Sequence, residues 1–152
     1  MSMIKILIAD DHQLLIDGLK ATLEGIEDFT IVGEAYNGYQ VLEKLDEGLE
    51  VNVILMDINM PKLDGLECTK AVTKKYPDIK IIALSQYDEK RFVKRMVKNG
   101  ASGYLLKDSG KDQLEKAIRE VHAGRKYYCE RLSIRLVEQE LKDENTSALF
   151  PK

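Results

Sequence analysis

Three short apolar runs, each ending in a reactive polar side chain, constrain this sequence more than any other feature. The runs cover residues 4–9, 53–56 and 79–84, and they lead into Asp10 and Asp11, Asp57, and Ser85 respectively. A fourth run, over residues 103–106, leads into Lys107. Continuous apolar runs of this length are typical of strands buried on both faces, as in a parallel sheet. Because parallel strands point the same way, we expect these polar side chains to gather at one sheet edge.

The segments between the runs have the spacing of amphipathic helices, so strands and helices are predicted to alternate. The predicted strands lie near residues 4–9, 29–35, 52–57, 79–84 and 102–106. The predicted helices lie near residues 12–26, 38–48, 64–75, 88–99 and 110–123. Five such units favour an α/β fold with a doubly wound, five-stranded parallel sheet and right-handed crossovers. We expect the flavodoxin-like strand order 2-1-3-4-5.

The alternation stops after Gly124, which suggests a domain boundary there. We expect residues 1–124 to form one domain and residues 125–152 to form a C-terminal extension. Within the extension, Ile134, Val137 and Leu141 have helical spacing and predict a linker helix over 130–142. The polar tail after it is expected to lead toward an output domain that is absent from this chain.

Composition excludes several classes of protein. The 152 residues suit one ordinary domain, and no apolar stretch approaches the ~20 residues of a membrane span. The formal net charge of −3 gives the whole chain no electrostatic signature of nucleic-acid binding. Cys68 and Cys129 have neither metal-site nor redox spacing, so we interpret them as reduced thiols of a cytoplasmic protein.

The three carboxylates are predicted to meet where ligands bind in such sheets. In a parallel sheet with the order 2-1-3-4-5, the strand order reverses between strands 1 and 3. Ligands of such sheets bind at this point, beyond the carboxyl ends of the strands. Asp10, Asp11 and Asp57 would repel one another unless a cation lies between them. Hard oxygen ligands of this kind suit Mg²⁺. The alternative is that Asp10 or Asp11 only caps the first helix, and we favour the functional site because three carboxylates converge with Lys107.

The same residues closely resemble the receiver domain of bacterial two-component response regulators. The resemblance extends over residues 3–124 in order and spacing. It rests on the acidic residues and Lys107, together with Met60-Pro61, Asp64-Gly65, Ser85 and Tyr104. The stretch over residues 103–108 and the later one over 123–128 resemble the NarL/FixJ-type subfamily. Members of that subfamily usually carry a C-terminal helix-turn-helix that binds DNA.

The resemblance implies a role for each site residue. Asp57 would accept a phosphoryl group from a phosphohistidine of a sensor histidine kinase, as a carboxylate nucleophile can. Mg²⁺ would be held by Asp11 and Asp57, by the backbone carbonyl of Asn59, and by Asp10 largely through water. Lys107 and the Ser85 hydroxyl would bind phosphoryl oxygens. Ser85 and Tyr104 would form the switch that reports phosphorylation to the surface.

The function expected from this resemblance is a phosphorylation-controlled switch that regulates transcription through a DNA-binding domain missing from this chain. Its self-phosphorylation and autodephosphorylation would be Mg²⁺-dependent, and it would not otherwise act as an enzyme. Alternatives are a stand-alone receiver acting by protein contact, a receiver that works without phosphorylation, and an Asp-dependent phosphohydrolase. A homodimer is compatible with the family, and a membrane partner is not expected.

Two further features have ordinary interpretations. His12 follows the acidic pair, and we interpret it as an exposed residue of the first helical turn rather than a metal ligand. The predicted fourth helix is rich in basic residues, which we interpret as a solvated face rather than a docking surface.

Overall fold

Strands and helices alternate along the chain as the sequence pattern predicts. The structure, a computed structural model, describes residues 2–86 and 90–128, without the side chains of Lys90 and Arg91. The strands are β1 (Ile4–Ala9), β2 (Phe29–Ala35), β3 (Val53–Asp57), β4 (Lys80–Ser85), β5 (Gly103–Leu106) and β6 (Tyr127–Tyr128). The helices are α1 (Gln13–Leu23), α2 (Gly38–Asp46), α3 (Gly65–Lys75), α4 (Lys90–Lys98) and α5 (Lys111–His122).

The strands form one sheet in which every pair of neighbours is parallel. Its order is β2-β1-β3-β4-β5-β6, so the predicted order of the first five strands is confirmed. Helices α1 and α5 contact each other, whereas α2 contacts α3 and α3 contacts α4. The helices therefore cover both faces of the sheet, as right-handed crossovers require.

The prediction of five strands was incomplete, because the sheet has a short sixth strand at its edge. Tyr127 pairs with Gly103 and Tyr128 pairs with Tyr104. The Tyr127 N–H also donates to the Ser102 carbonyl at 3.0 Å. A two-residue strand is too short for a periodicity signal, and it forms only because β5 leaves an edge to pair with. The domain boundary at residue 124 stays a prediction, and the linker helix over 130–142 lies outside the described residues.

The centre of the sheet is the core of the fold. Val53, Ile54, Leu55 and Met56 of β3 have no exposed surface. Each of these side chains is expected to contribute about 2 kcal/mol of burial free energy. Because β3 is covered on both faces, its apolar residues follow one another without interruption. Asp57, at the carboxyl end of the strand, is its first polar residue.

Two helices that flank the site begin at side-chain caps. Asn37 accepts a hydrogen bond from the Gln40 N–H at 2.9 Å, and Asp64 accepts one from the Glu67 N–H at 2.9 Å. Asparagine and aspartate are both residues that N-cap positions favour, because their side-chain oxygens can accept from the free amides of the first helical turn. Among the described residues, none of the helices has the length and apolar character needed to cross a lipid bilayer.

Candidate phosphoacceptor and metal site

The register between β1 and β3 places two aspartates side by side. Ala9 pairs with Met56, so the next residues along the two strands, Asp10 and Asp57, are neighbours at the carboxyl edge. Both are almost fully buried, with 1% and 3% of their surface exposed. Two acidic side chains are thus held together in a position where water can solvate neither of them well, which requires compensating charge nearby.

The loop after β1 adds two more polar side chains to this edge. Asp10 Oδ1 accepts a hydrogen bond from the His12 backbone N–H at 2.8 Å and lies 3.0 Å from His12 Nδ1. The same ring nitrogen lies 3.1 Å from Asp11 Oδ1. Asp10, Asp11, His12 and Asp57 each present a donor atom, and these four atoms lie within 4.8 Å of one another. The described residues therefore include a group of donors that could hold a metal ion.

The geometry argues against the alternative that the acidic pair only caps α1. The residue at the N-cap position of α1 is His12, and no side-chain hydrogen bond caps this helix. Asp10 instead bonds to the loop residue before the helix, and Asp11 lies beside the His12 ring. The two carboxylates are thus oriented toward the sheet edge rather than toward the free helix amides.

Lys107 supplies a positive charge at the same edge. Its Nζ lies 3.0 Å from Asp57 Oδ1 and 3.1 Å from Asp10 Oδ2, and its side chain is only 12% exposed. The Lys107 backbone N–H donates to the Ser85 carbonyl at 2.7 Å, which continues the β4–β5 pairing past the end of β5. The peptide bond that joins Lys107 to the next residue is trans. The sheet itself therefore positions the ammonium between the two buried carboxylates.

The charges at this site do not balance. Three ionised carboxylates and one ammonium leave a net charge of −2. Burial and the negative charge of Asp10 raise the pKa of Asp57 to about 6, and the hydrogen bond and charge of Lys107 offset only part of this rise. Burial acts to lower the pKa of Lys107, but its contacts with Asp57 and Asp10 outweigh burial and raise it.

An orphaned oxygen shows where a cation would fit. Asp57 Oδ2 is buried and has no hydrogen-bond partner among the described residues. Buried polar atoms are nearly always satisfied, and an unsatisfied one in a native site often marks the place of an ion or water. A divalent cation would satisfy this oxygen and neutralise the excess charge of −2. The residues present therefore fit a hard divalent metal ion.

The remaining predicted site residues surround a small cleft beside Asp57. Ser85 and Asn59 line it together with Asp57 and Lys107. His12 and Gln86, which were not predicted as site residues, line it as well. The Asn59 N–H lies 3.4 Å from Asp57 Oδ1 and donates a long hydrogen bond to it. Ser85 is the last residue of β4 and is 7% exposed. The structure thus brings the predicted nucleophile, hydroxyl and ammonium to one opening, and their chemical roles stay predictions.

Tyr104 lies in β5 and has no exposed surface. Viewed by itself, this residue would be expected to be a half-buried strand aromatic, and the structure places it deeper than that. Tyr104 pairs with Ala83 of β4, two residues before Ser85, so the two predicted switch residues lie on neighbouring strands and their coupling stays a prediction.

Sequence reasoning gave His12 no part in the site. Its side chain is 65% exposed, as expected, but its ring nitrogen contacts both members of the acidic pair. The sequence signal was its position directly after two aspartates at a strand end. What the sequence did not show is the path of the loop, which turns the ring back over the carboxylates.

The raised pKa of Asp57 predicts that the metal-free protein becomes more stable as the pH falls from about 7.5 to about 5. The ionised carboxylate costs folding free energy above the folded pKa of about 6, and protonation relieves this cost as the pH falls toward the ordinary value of 3.8. We expect the free energy of unfolding in EDTA to rise by about 1 kcal/mol over this range. Urea denaturation at the two pH values measures it, and a decrease would contradict the electrostatic description.

Comparison of the sequence with known families identifies one match. The sequence model described as the response regulator receiver domain matches residues 6–119. The chain is 40% identical over 136 residues to the transcriptional regulatory protein DegU of Brevibacillus brevis, covering 90% of this chain and 57% of that protein. It is 35% identical over 148 residues to the response regulator GacA of Pseudomonas syringae pv. syringae (strain B728a), covering 97% of this chain and 69% of that protein. The chain therefore spans a little over half to about two thirds of these relatives.

Solved structures give the same result. The RcsB response regulator of Salmonella typhimurium matches with a TM-score of 0.80 and 28% identity, covering 91% of this chain and 67% of that chain. A receiver domain described as that of NarL from Mycobacterium tuberculosis matches with a TM-score of 0.77 and 31% identity. That match covers 82% of this chain and 100% of the other chain.

Proposed function

The chain belongs to the response regulator receiver domain family and is of the NarL/FixJ type, and from this premise we propose that Asp57 is the phosphoacceptor of a signalling switch. The donor would be a phosphohistidine on a sensor histidine kinase. The observation that carries the proposal is the position of the Asp57 carboxylate, which lies 3.0 Å from the Lys107 ammonium in a cleft open to a donor. Phosphoryl transfer needs mainly positioning and neutralisation of charge. This arrangement positions the nucleophile, and Lys107 neutralises part of the charge.

The transfer step balances without a further reactant. A carboxylate oxygen of Asp57 forms a bond to phosphorus while the bond from phosphorus to the histidine nitrogen breaks, and that nitrogen keeps the electron pair. Lys107 would bind a phosphoryl oxygen as a compact point charge, and the Ser85 hydroxyl would donate to another. With a pKa of about 6, Asp57 is largely ionised at neutral pH and available as the nucleophile.

The metal that suits the site is Mg²⁺. Asp11, Asp57 and the backbone carbonyl of Asn59 would hold it, with Asp10 acting largely through water. The orphaned Asp57 Oδ2 and the net charge of −2 support this assignment. When bound, the ion would neutralise charge on the phosphoryl group and on the acidic residues.

Ser85 and Tyr104 would form the switch. Phosphorylation adds nearly two negative charges beside Ser85, and the hydroxyl would shift toward them. Tyr104, already fully buried, would be stabilised in its inward position by the space that opens. The surface formed by α4, β5 and α5 would then favour one of two conformations, and a partner that binds them unequally would read the difference.

The output of the whole protein is proposed from its relatives. DegU is named a transcriptional regulatory protein, and this chain spans 57% of its length. We infer that the protein regulates transcription in the cytoplasm through a helix-turn-helix DNA-binding domain that is not in this chain. A homodimer is compatible with this output, since RcsB is described as forming dimers bound to DNA. A stand-alone receiver acting by protein contact would use the same site. An Asp-dependent phosphohydrolase is disfavoured, because such enzymes usually carry their nucleophile on the first strand and Asp57 ends β3.

Removal of the metal tests the function. Incubation with acetyl phosphate and Mg²⁺ is expected to add the mass of one phosphoryl group, and excess EDTA is expected to prevent this addition. Intact-mass spectrometry measures the gain, and re-addition of Mg²⁺ to the EDTA sample is the matched control. Sensitivity of the adduct to hydroxylamine identifies an acyl phosphate. Uptake that is indifferent to EDTA, or repeated turnover of a simple phosphomonoester, would contradict the proposal.

A further inference from the structure

His12 is the one nitrogen donor among the four side chains that could hold a metal within the described part of the chain. Its Nδ1 lies 3.0 Å from Asp10 Oδ1 and 3.1 Å from Asp11 Oδ1. The proposed phosphoacceptor mechanism assigns roles to the three carboxylates and none to this imidazole. Most of the ring is exposed, so the two contacts with carboxylates are its main polar contacts with the protein.

The distance between His12 Nδ1 and Asp11 Oδ1 suits two ligands of a single ion. Ligand atoms at about 2.1 Å from a small divalent ion lie about 3 Å apart when adjacent and about 4.2 Å apart when opposite. The separation of 3.1 Å between His12 Nδ1 and Asp11 Oδ1 fits the first value. Asp57 Oδ2, which is buried and has no hydrogen-bond partner in the described part of the chain, points independently to a cation in this group.

We propose that His12 Nδ1 is a direct ligand in this site, and that it raises the affinity of the site for borderline transition-metal ions such as Co²⁺ and Ni²⁺ more than its affinity for Mg²⁺. The inference rests on the metal site of the proposed function and adds a ligand and a preference to it. Imidazole nitrogen binds these ions well, whereas Mg²⁺ takes oxygen ligands and retains its waters. A site with three carboxylates alone would discriminate less between the two classes of ion.

The loop places His12 so that its side chain can be removed without damage to the helix that follows. His12 occupies the N-cap of α1, but its side chain makes no cap hydrogen bond there. Replacement by alanine is therefore expected to leave α1 and the fold unchanged. His122 provides a matched control, because it is the only other histidine of the chain and lies exposed at the far end of α5.

The test compares the metal affinities of the wild-type chain, His12→Ala and His122→Ala by calorimetric titration with Mg²⁺ and with Co²⁺. In His12→Ala we expect Co²⁺ affinity to fall about tenfold or more, as for loss of a ligand, and Mg²⁺ affinity to change less than about twofold. His122→Ala should match the wild type for both ions. Equal losses for the two ions in His12→Ala, or no loss for either, would overturn the proposal.

A spectroscopic measurement separates a ligand from a residue that only orients Asp10. Electron spin echo modulation of bound Mn²⁺ should show coupling to an imidazole nitrogen in the wild type and in His122→Ala, and should lose it in His12→Ala. Persistence of the coupling in His12→Ala, or its absence from the wild type, would overturn the assignment.

An additional variant separates this inference from the proposed function. Asp11→Asn should weaken binding of both Mg²⁺ and Co²⁺, because it removes a carboxylate shared by both. If Asp11→Asn weakens both ions and His12→Ala weakens neither, the metal site stands and only the role of His12 is wrong. If Asp11→Asn weakens neither ion, the metal site of the proposed function is itself wrong.

Discussion

Asp57→Asn is expected to abolish phosphate uptake from acetyl phosphate and, at the same time, to raise the stability of the metal-free protein. Loss of uptake follows because the amide cannot act as the nucleophile. The gain in stability follows because the ionised Asp57 is buried beside Asp10, which raises its pKa to about 6. At neutral pH a shift of this size corresponds to about 2 to 3 kcal/mol of folding free energy. The asparagine removes this cost and keeps an oxygen that can accept from Lys107.

The two effects require two measurements on the same variant. Intact-mass spectrometry after incubation with acetyl phosphate and Mg²⁺ reports the first, and urea denaturation in EDTA near neutral pH reports the second. Asp78→Asn is the matched control, because it makes the same change at an exposed position and should alter neither quantity. Unfolding of Asp57→Asn should also lose the pH dependence expected for the wild type. Phosphate uptake retained in full, or a loss of stability, would refute the account of this residue.

Gly65→Ala is expected to destabilise the fold by about 3 kcal/mol or more, as an overpacked and rigid contact does. Gly65 is the first residue of α3, and its N–H donates to the Ile58 carbonyl at 2.8 Å. A Cβ at this position would overlap the Asp57 carbonyl oxygen and would lie 2.8 Å from Ile58 Cα. These are backbone atoms, so no side-chain rotation can relieve the clash. The end of β3, or the start of α3, would have to move.

The same displacement would impair the site, because the added Cβ would overlap the backbone carbonyl oxygen of Asp57 itself. We therefore expect Gly65→Ala to lower the rate of phosphate uptake as well as the midpoint of urea denaturation. Gly18→Ala is the control: a Cβ there would meet no atom within 4 Å, and the residue lies inside α1. Alanine in a helix interior is favoured over glycine by about 1 kcal/mol, so this variant should be as stable as the wild type or more stable. Equal stability of Gly65→Ala and the wild type would show that the contact is easily relieved.

The location of the site was predictable because a parallel sheet converts sequence positions into spatial ones. Every strand of such a sheet ends at the same edge, so the residue after each apolar run must lie there. Asp10, Asp57 and Lys107 lie together in the structure for this reason. The caps Asn37 and Asp64 were predictable for a local reason, since each hydrogen bond reaches only three residues along the chain. The match to the receiver family agrees with the resemblance carried by these residues.

Features that depend on contacts between distant segments were not predictable in the same way. The strand at Tyr127–Tyr128 exists because β5 offers an edge, and two residues alone have no periodicity to reveal it. The complete burial of Tyr104 depends on what packs around β5 rather than on its neighbours in sequence. The overlap that excludes a side chain at Gly65 arises from the approach of α3 to the end of β3.

The chain's order of residues was sufficient to predict the class of fold and the identity of the acidic edge, because burial on both faces leaves only strand ends for polar groups. The strand order was an expectation for this class of fold. Tertiary structure decided the electrostatics and the number of donors at that edge. It brought Asp57 close enough to Asp10 to raise its pKa, left Asp57 Oδ2 without a partner among the described residues, and turned the His12 ring onto the acidic pair. These properties depend on separations of a few ångströms between side chains, and such separations are set by packing and by the path of a loop.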